Sequence, residues 1–438
     1  MMRLNELLNS VAEAGREILS KRDKSLPEKT LETHCANLLS NKGEALGSAF
    51  AMAVVIAYRK SNEEEKLKFF YHLLESYSPN PELVIQRANE YKASNDYKAY
   101  AALNDAVESP RQMLFRRINM APNGTETLVE LRCDLLRFIK NNPELKTIDY
   151  DLSHLLKSWF NRGFLTLEEI RWDSPAVILE KLIKYEAVHY MSGWEDLKKR
   201  LGKNRRCYAF FHPSLPGEPL IFVEVALVKG LADSIPPLID PTLDASISEN
   251  KTDTAIFYSI SNCQAGLAGI SFGNFLIKQV VMELKRELPH LTQFSTLSPI
   301  PGFLKWLSRE QENGDSEFIK ETDRDVLSLL GNEHWYQDQE ISEAVKPVLM
   351  GLCKKYLFHA KRGKLPCDPV ARFHLGNGAR IERLNWMGDK SANGLDQSAG
   401  MLVNYFYEIS EVEKNHEAFI NDGVIATSKD FKRKLSSI

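Results

Sequence analysis

Ala255-Ile256-Phe257-Tyr258-Ser259-Ile260, then Gln264-Ala265-Gly266-Leu267-Ala268-Gly269-Ile270, then Phe294-Ser295-Thr296-Leu297 is the stretch whose reading decides the fold. The first and last runs are short and rich in β-branched and aromatic residues, which fits strands. Between them Phe272, Phe275, Leu276, Val280 and Leu284 fall on one face of a helix. The order strand, small-residue turn, helix, strand predicts a mixed α/β domain. A turn that ends a strand and opens a helix presents free backbone N–H groups and the positive end of the helix dipole, and glycine lets an anion come close to them. Residues 265–271 are therefore candidates for holding phosphate oxygens. A tight turn that merely lets the helix pack closely is the equally open alternative. A dinucleotide fold is disfavoured, because the three-glycine spacing is absent and Glu283 lies inside the helix.

Upstream, Arg206 to Phe211 and Leu220 to Leu227 flank Pro213-Ser214-Leu215-Pro216-Gly217-Glu218-Pro219 and read as a hairpin with a longer loop. Before Trp194 the texture is helical almost throughout. Leu4, Leu7, Leu8, Val11 and Ile18 form one stripe, and Leu128, Leu131, Leu135 and Ile139 another. Helix starts are signalled at Ser25-Leu26-Pro27-Glu28, Asn80-Pro81-Glu82, Asn142-Pro143-Glu144, Thr166 with Glu169, and Ser174-Pro175. No strand pattern is read in that region. The predicted architecture is α+β: an all-α helical bundle domain over 1–190, then a mixed α/β domain over 191–438. The Pro-rich stretch Ile235 to Pro241 reads as a loop within the second domain.

Composition narrows the function classes. The formal charge of −3 on 438 residues is spread over interleaved acids and bases, which argues against a nucleic-acid surface. Six cysteines stand at 35, 133, 207, 263, 353 and 367, with no CxxC pair, so a reducing cytosol is the simplest setting. The longest apolar run, Ala49 to Tyr58, is about half the ~20 residues a membrane span needs. Arg3, Arg16, Lys21 and Arg22 are interleaved with Glu6, Glu13 and Glu17, unlike an acid-poor transit peptide. The end Leu435-Ser436-Ser437-Ile438 lacks a Ser-Lys-Leu address. The expectation is a cytoplasmic protein without a membrane span.

Two further segments carry candidate chemistry. Phe294 to Phe303 leaves a strand through Ser298-Pro299-Ile300-Pro301-Gly302, a rigid turn that would fix hydroxyls at a sheet edge, where α/β folds place ligands. Ser295 and Thr296 either serve there or simply satisfy backbone groups. Phe373-His374-Leu375-Gly376-Asn377-Gly378-Ala379 sets one of ten histidines beside a glycine-rich turn, outside any obvious helix. His72 and His154, in helices, are read as packed or solvated. No histidine pair has metal-ligand spacing with a carboxylate, so no metal is expected.

These segments also carry a resemblance. Ser298 to Phe303 with Lys305-Trp306-Leu307, Phe373-His374-Leu375 with Asn377-Gly378-Ala379, and Asn385-Trp386-Met387 resemble the signature stretches of malonyl-CoA decarboxylases. The similarity runs from about Asp173 to Tyr407 and includes Phe211-His212-Pro213 and Glu224-Val225-Ala226-Leu227. The strand-turn-helix-strand unit resembles the pyrophosphate-binding core of GNAT acyltransferases, although the glycine spacing is a variant. The resemblance implies a helical domain used in oligomer contacts, a GNAT-like catalytic domain and a homotetramer. It places the catalytic pair at Ser295 and His374, the CoA contact at Ala265, Gly266, Leu267, Ala268, Gly269, Ile270 and Ser271, and a substrate-contacting tyrosine at Tyr407. Bottom-up, Tyr407 in Asn404-Tyr405-Phe406-Tyr407 is as readily an aromatic packed in a half-buried strand.

The implied reaction turns malonyl-CoA into acetyl-CoA and CO2, with the thioester carbonyl as electron sink, so no cofactor is expected. The protein must orient the C–CO2 bond, stabilise the enolate oxygen and protonate C2. His374 would hold the carboxylate and then give the proton, and Ser295, hydrogen-bonded to it, would orient or relay. A covalent acyl-serine is the less favoured variant. Two competing readings are a GNAT-type acyltransferase, which needs an acceptor amine, and a non-catalytic CoA sensor.

Overall fold

The computed structural model describes residues 30–40, 43–240, 249–270, 276–313 and 316–436. The predicted stripe from Leu4 to Ile18 and the start at Ser25 lie outside the described residues. The chain divides into two compact units. One comprises Met1–Thr166, Phe211–Leu220 and Gln264–Phe272; the other comprises Leu167–Phe210, Ile221–Cys263 and Gly273–Ile438.

Among the described residues, several helices of the first unit begin at a side-chain cap that the sequence supplies. In chain order the helices of this unit are α1 (Leu31–Ser40), α2 (Glu44–Lys60), α3 (Glu63–Ser76), α4 (Pro81–Ser94), α5 (Tyr97–Val107), α6 (Pro110–Asn119), α7 (Gly124–Phe138) and α8 (Lys146–Trp159). Asn62 accepts from the Glu65 amide while Glu65 accepts from that of Asn62, closing a capping box at the start of α3. Asn80 caps α4 ahead of Pro81, and Asp96 caps α5. The apolar run at 49–58 lies in α2, with Ala49, Val54, Val55 and Tyr58 buried. Leu128, Leu131 and Leu135 of α7 are buried as the stripe predicts, joined by Phe69, Phe70 and Leu73 of α3 and Leu152 and Leu155 of α8. Truncating one of these leucines to alanine costs about 2–5 kcal/mol.

The second unit is built on a seven-stranded sheet of order β1-β2-β3-β4-β5-β9-β8. Its strands are β1 (Thr166–Ile170), β2 (Arg205–Phe211), β3 (Ile221–Val228), β4 (Thr254–Asn262), β5 (Gln293–Thr296), β8 (Arg380–Asn385) and β9 (Leu402–Phe406); β6 (Lys361–Arg362) and β7 (Leu365–Pro366) form a separate ribbon. Thr166 with Glu169, read above as a helix start, instead opens β1, where exposure alternates with period two. The hairpin is present as the antiparallel β2–β3 pair. Helix α9 (Ala176–Tyr185), whose start at Ser174-Pro175 was read as part of the helical domain, belongs to this unit. After it comes α10 (Trp194–Arg200), whose Arg200 pairs with Glu224 of β3 at 2.9 Å, both almost fully buried. The Pro-rich stretch contains a single turn, α11 (Pro236–Ile239).

β4 and β5 are parallel, so the chain needs a crossover between them. The crossover is α12 (Leu276–Glu287), which buries Leu276, Ile277, Val280, Val281 and Leu284 at the predicted spacing. Phe272 and Phe275, the start of that stripe, lie outside the described residues. Parallel pairing stops at Phe257↔Thr296. The Leu297 amide still reaches the Phe257 carbonyl at 3.0 Å. Beyond it β4 runs on to Asn262 while the other strand turns away through Pro299 and Pro301, because proline has no N–H to extend a ladder. The turn leads into α13 (Phe303–Glu312), α14 (Glu321–Ser328) and the long α15 (Gln339–Phe358). Helix α16 (Pro369–Gly376) then precedes β8.

Candidate active site

The turn after β5 is held on both sides. Ser298 exchanges backbone hydrogen bonds with Val403 of β9, each 2.9 Å. A Cβ at Gly302 would meet the Tyr356 hydroxyl, so any larger residue there would have to push that buried ring aside. Helix α16 carries His374 in its last turn, which corrects the expectation that His374 lies outside a helix. Eight residues give too little apolar periodicity to read. Its cap is Asp368, fully buried, accepting from the Ala371 amide at 2.8 Å. Burial pushes the Asp368 carboxyl up to about 6, while the amides of Ala371, Gly302 and Val370 pull the other way. Asp368 thus joins the start of the histidine helix to the end of the serine turn.

Strand alternation then sorts the hydroxyls. Thr296 and Ser298, two residues apart, face the same way, and Ser298 Oγ donates to Thr296 Oγ1 at 2.8 Å. His374 Nε2 lies 3.1 Å from Ser298 Oγ, and His374 Nδ1 lies 2.8 Å from the Tyr407 hydroxyl. The Tyr405 ring stacks on the imidazole with centroids 4.6 Å apart. With Ser298 donating to Thr296, its oxygen accepts from Nε2–H, and Nδ1 accepts from the Tyr407 O–H; the tautomer follows from this network. The result is a line of uncharged polar groups, Tyr407, His374, Ser298 and Thr296, all at most 5% exposed. Burial drops the His374 imidazolium to about 3, so the ring is neutral near neutrality, and burial raises the Tyr407 phenol.

Ser295 is not the partner of His374. Alternation turns it to the opposite face from Thr296, and its Oγ donates instead to the backbone carbonyls of Thr296 and Tyr405, both 3.2 Å away. The hydrogen-bonded pair expected of Ser295 and His374 is made by Ser298 and His374. Ser298 and Tyr405 are the residues that the reading of single positions missed, while Thr296, weighed beside Ser295 in the sequence, accepts from Ser298. The signal that finds them is periodicity: 296 and 298 share a face that 295 cannot. Tyr407, the predicted site tyrosine, contacts the imidazole. Among the described residues, no group of three or more His, Cys, Asp or Glu could hold a metal ion.

The 265–271 segment belongs to the first unit. Ala265–Leu267 form one 3-10 turn, and Gly269 has φ +73° with open space around its Cα. Ala265, Ala268 and Gly269 are exposed, whereas Gly266, Leu267 and Ile270 are buried; Ser271 lies outside the described residues. The turn uses the amides of Leu267, Ala268 and Ile270. Among the described residues, none accepts from the amides of Ala265, Gly266 or Gly269. That leaves N–H groups beside an exposed glycine, which is the donor set an anion needs.

The malonyl-CoA decarboxylase C-terminal domain family matches residues 163–438, and the corresponding N-terminal domain family matches residues 77–160. The mitochondrial malonyl-CoA decarboxylase of Anser anser anser is 40% identical over 346 residues, which are 73% of this chain and 68% of that protein. The crystal structure of malonyl-CoA decarboxylase from Rhodopseudomonas palustris superposes with a TM-score of 0.89 at 47% identity, covering 93% of this chain and 100% of that one. The corresponding structure from Agrobacterium vitis gives a TM-score of 0.86 at 45% identity, covering 92% and 99%. With both domain families matched in order and this identity sustained over most of its length, the chain belongs to the malonyl-CoA decarboxylase family.

Proposed function

We propose that the chain converts malonyl-CoA to acetyl-CoA and CO2, with Ser298 and His374 at the reacting group and Tyr407 behind the imidazole. The observation that carries this reading is the 3.1 Å contact between Ser298 Oγ and His374 Nε2 in a buried, uncharged polar line. Family membership makes the chain a carboxy-lyase.

The chemistry asks little beyond orientation and one proton. As the C–CO2 bond breaks, its electron pair moves into the thioester carbonyl and gives an enolate, which no further cofactor need accept. C2 then takes a proton, so each turnover consumes one. The resting imidazole is neutral because it is buried without a counter-charge. A malonyl carboxylate brought beside it supplies that counter-charge and raises its pKa, so substrate and proton arrive together. When the carboxylate leaves as neutral CO2 the imidazolium loses its partner and passes its N–H proton to C2. With substrate bound, the Ser298 hydroxyl turns its one O–H from Thr296 Oγ1 to the developing enolate oxygen, and Tyr407 holds the ring in the required tautomer. Ser295 supports the strand.

The amides of the exposed residues Ala265 and Gly269, which have no acceptor among the described residues, fit a role for that turn toward the phosphates of CoA. A homotetramer is part of the proposal. Helices α4 and α5 bury no residue while exposing Ile85, Tyr97, Tyr100 and Val107, the kind of apolar surface that subunits cover. A cytoplasmic setting is proposed as well. All six cysteines are free, and among the described residues no helix is long and apolar enough to cross a membrane.

The test is incubation of the purified protein with malonyl-CoA alone. Equal amounts of CO2 and acetyl-CoA are expected, and His374→Gln should lower kcat by roughly 10²-fold or more. Product only on addition of an amine would make the protein an acyltransferase. Tight CoA binding without turnover would make it a sensor.

A further inference from the structure

Helix α7 carries a buried cation that the chemistry above does not use. Arg132 is 4% exposed, and its guanidinium makes three hydrogen bonds. Nη1 donates to the carbonyl of Gly266 at 2.7 Å and to that of Ala268 at 2.8 Å, while Nε donates to Asp149 of α8 at 2.7 Å. The same helix meets the turn at a second point. A Cβ built on Gly266 would lie 1.9 Å from the Val129 carbonyl oxygen, one helical turn before Arg132, so the two backbones touch. The turn is therefore fastened from behind at Gly266 and at Ala268, on either side of the buried Leu267.

Apart from the buried Leu267 and Ile270, the turn consists of alanine and glycine, which have no side chain to hold their own peptide planes, and its backbone entropy is correspondingly costly to remove. Arg132 supplies the order that the sequence of the turn cannot. By drawing the carbonyls of 266 and 268 inward it fixes two peptide planes, 266–267 and 268–269, and because C=O and N–H point opposite ways in a trans peptide the second plane turns the Gly269 amide away from the guanidinium. A guanidinium does this where an ammonium would not, because its planar fork spans two carbonyls and a carboxylate at once. Its charge, neutralised only from one side by Asp149, also lies behind an anion-accepting surface.

We propose that Arg132 is a positioning residue for CoA: it presets the 265–270 turn, which belongs to the same unit, for the phosphate-bearing end of the substrate. The proposal rests on the reading of that turn as the CoA contact.

Arg132→Met keeps the stem and removes the fork. In steady-state decarboxylation it should raise KM for malonyl-CoA about tenfold or more with kcat within about twofold, and raise the inhibition constant of free CoA in parallel. Arg132→Lys, with charge but no fork, should fall between Met and wild type, and remains the readout if the Met variant does not fold. Ala268→Glu, which puts a carboxylate on the exposed crest of the turn, tests the underlying reading: it should raise KM by repelling phosphate. If Ala268→Glu raises KM while both Arg132 variants leave it unchanged, Arg132 is overturned and the turn stands. If neither position shifts KM, the turn itself is not the CoA contact. Loss of kcat at constant KM in folded Arg132 variants would mark Arg132 as a fold residue only and overturn its positioning role.

Discussion

Replacing Ser298 and Ser295 by alanine, one at a time, separates the two hydroxyls by outcomes that differ in kind. Ser298 Oγ is the acceptor for His374 Nε2 inside a site where Ser298 is only 5% exposed. Ser298→Ala leaves that N–H without a partner, costs about 1–3 kcal/mol of stability, and removes the group that, in the proposed mechanism, orients the imidazole and meets the enolate. A loss of roughly 10²- to 10⁴-fold in kcat is expected. Ser295 Oγ makes only two long bonds, both to carbonyls, and one of those carbonyls, that of Thr296, also accepts from Asn404 Nδ2 at 2.8 Å. Ser295→Ala therefore strands no donor. It should cost about 1 kcal/mol and leave kcat within about twofold. The assay pairs acetyl-CoA formation at saturating malonyl-CoA with urea unfolding of the same preparations. A Ser295→Ala enzyme crippled by two orders of magnitude, beside a Ser298→Ala enzyme that turns over normally, would refute the assignment of the histidine's partner.

Three other outcomes follow from the same geometry. The folded-state pKa of His374, about 3, lies below its unfolded value of about 6.5, so the unfolded chain binds a proton that the folded one does not. Stability from this group is complete above about pH 6.5 and is lost as pH falls toward 3; between pH 7 and pH 5 the loss is roughly 2 kcal/mol. Urea titrations at those two pH values should show that slope in wild type and lack it in His374→Gln; equal slopes would argue against a neutral buried imidazole. Tyr407→Phe removes the 2.8 Å bond to Nδ1 and frees the tautomer, so kcat should fall about tenfold with KM little changed; unchanged kinetics would reduce Tyr407 to packing. Gly378 has φ +85°, and a Cβ there would lie 2.1 Å from the Val412 carbonyl. Gly378→Ala should cost about 2 kcal/mol or more and shift the end of the histidine helix, visible as a lowered unfolding midpoint.

Much of this protein can be read from sequence because its elements are specified locally. The caps at Asn62, Asn80 and Asp96, the stripe Leu128, Leu131, Leu135, and the runs at 255–260 and 294–297 each contain within a dozen residues the periodicity that fixes them. Where the local signal was short or mixed, reading failed. Thr166 to Ile170 mimics a helix cap but is a strand at the sheet edge, where pairing with β2 overrides the cap residues. Asp368 and Pro369 do announce α16, yet eight residues running into Gly376 and Gly378 hide it.

Sequence alone settled that a strand, a glycine-bearing turn and a helix follow one another at 254–287, and it singled out a serine-bearing, proline-stiffened turn and a histidine segment as candidates. Tertiary structure alone decided which hydroxyl meets the imidazole. Adjacent residues on a strand point to opposite faces, and only the pairing of β5 with β9 and the docking of α16 determine which face the ring approaches. It also decided that Arg132, more than a hundred residues away in sequence, holds the 265–270 turn. Local propensity cannot specify such a contact, because its partners are backbone carbonyls, which are chemically alike at every position in the chain.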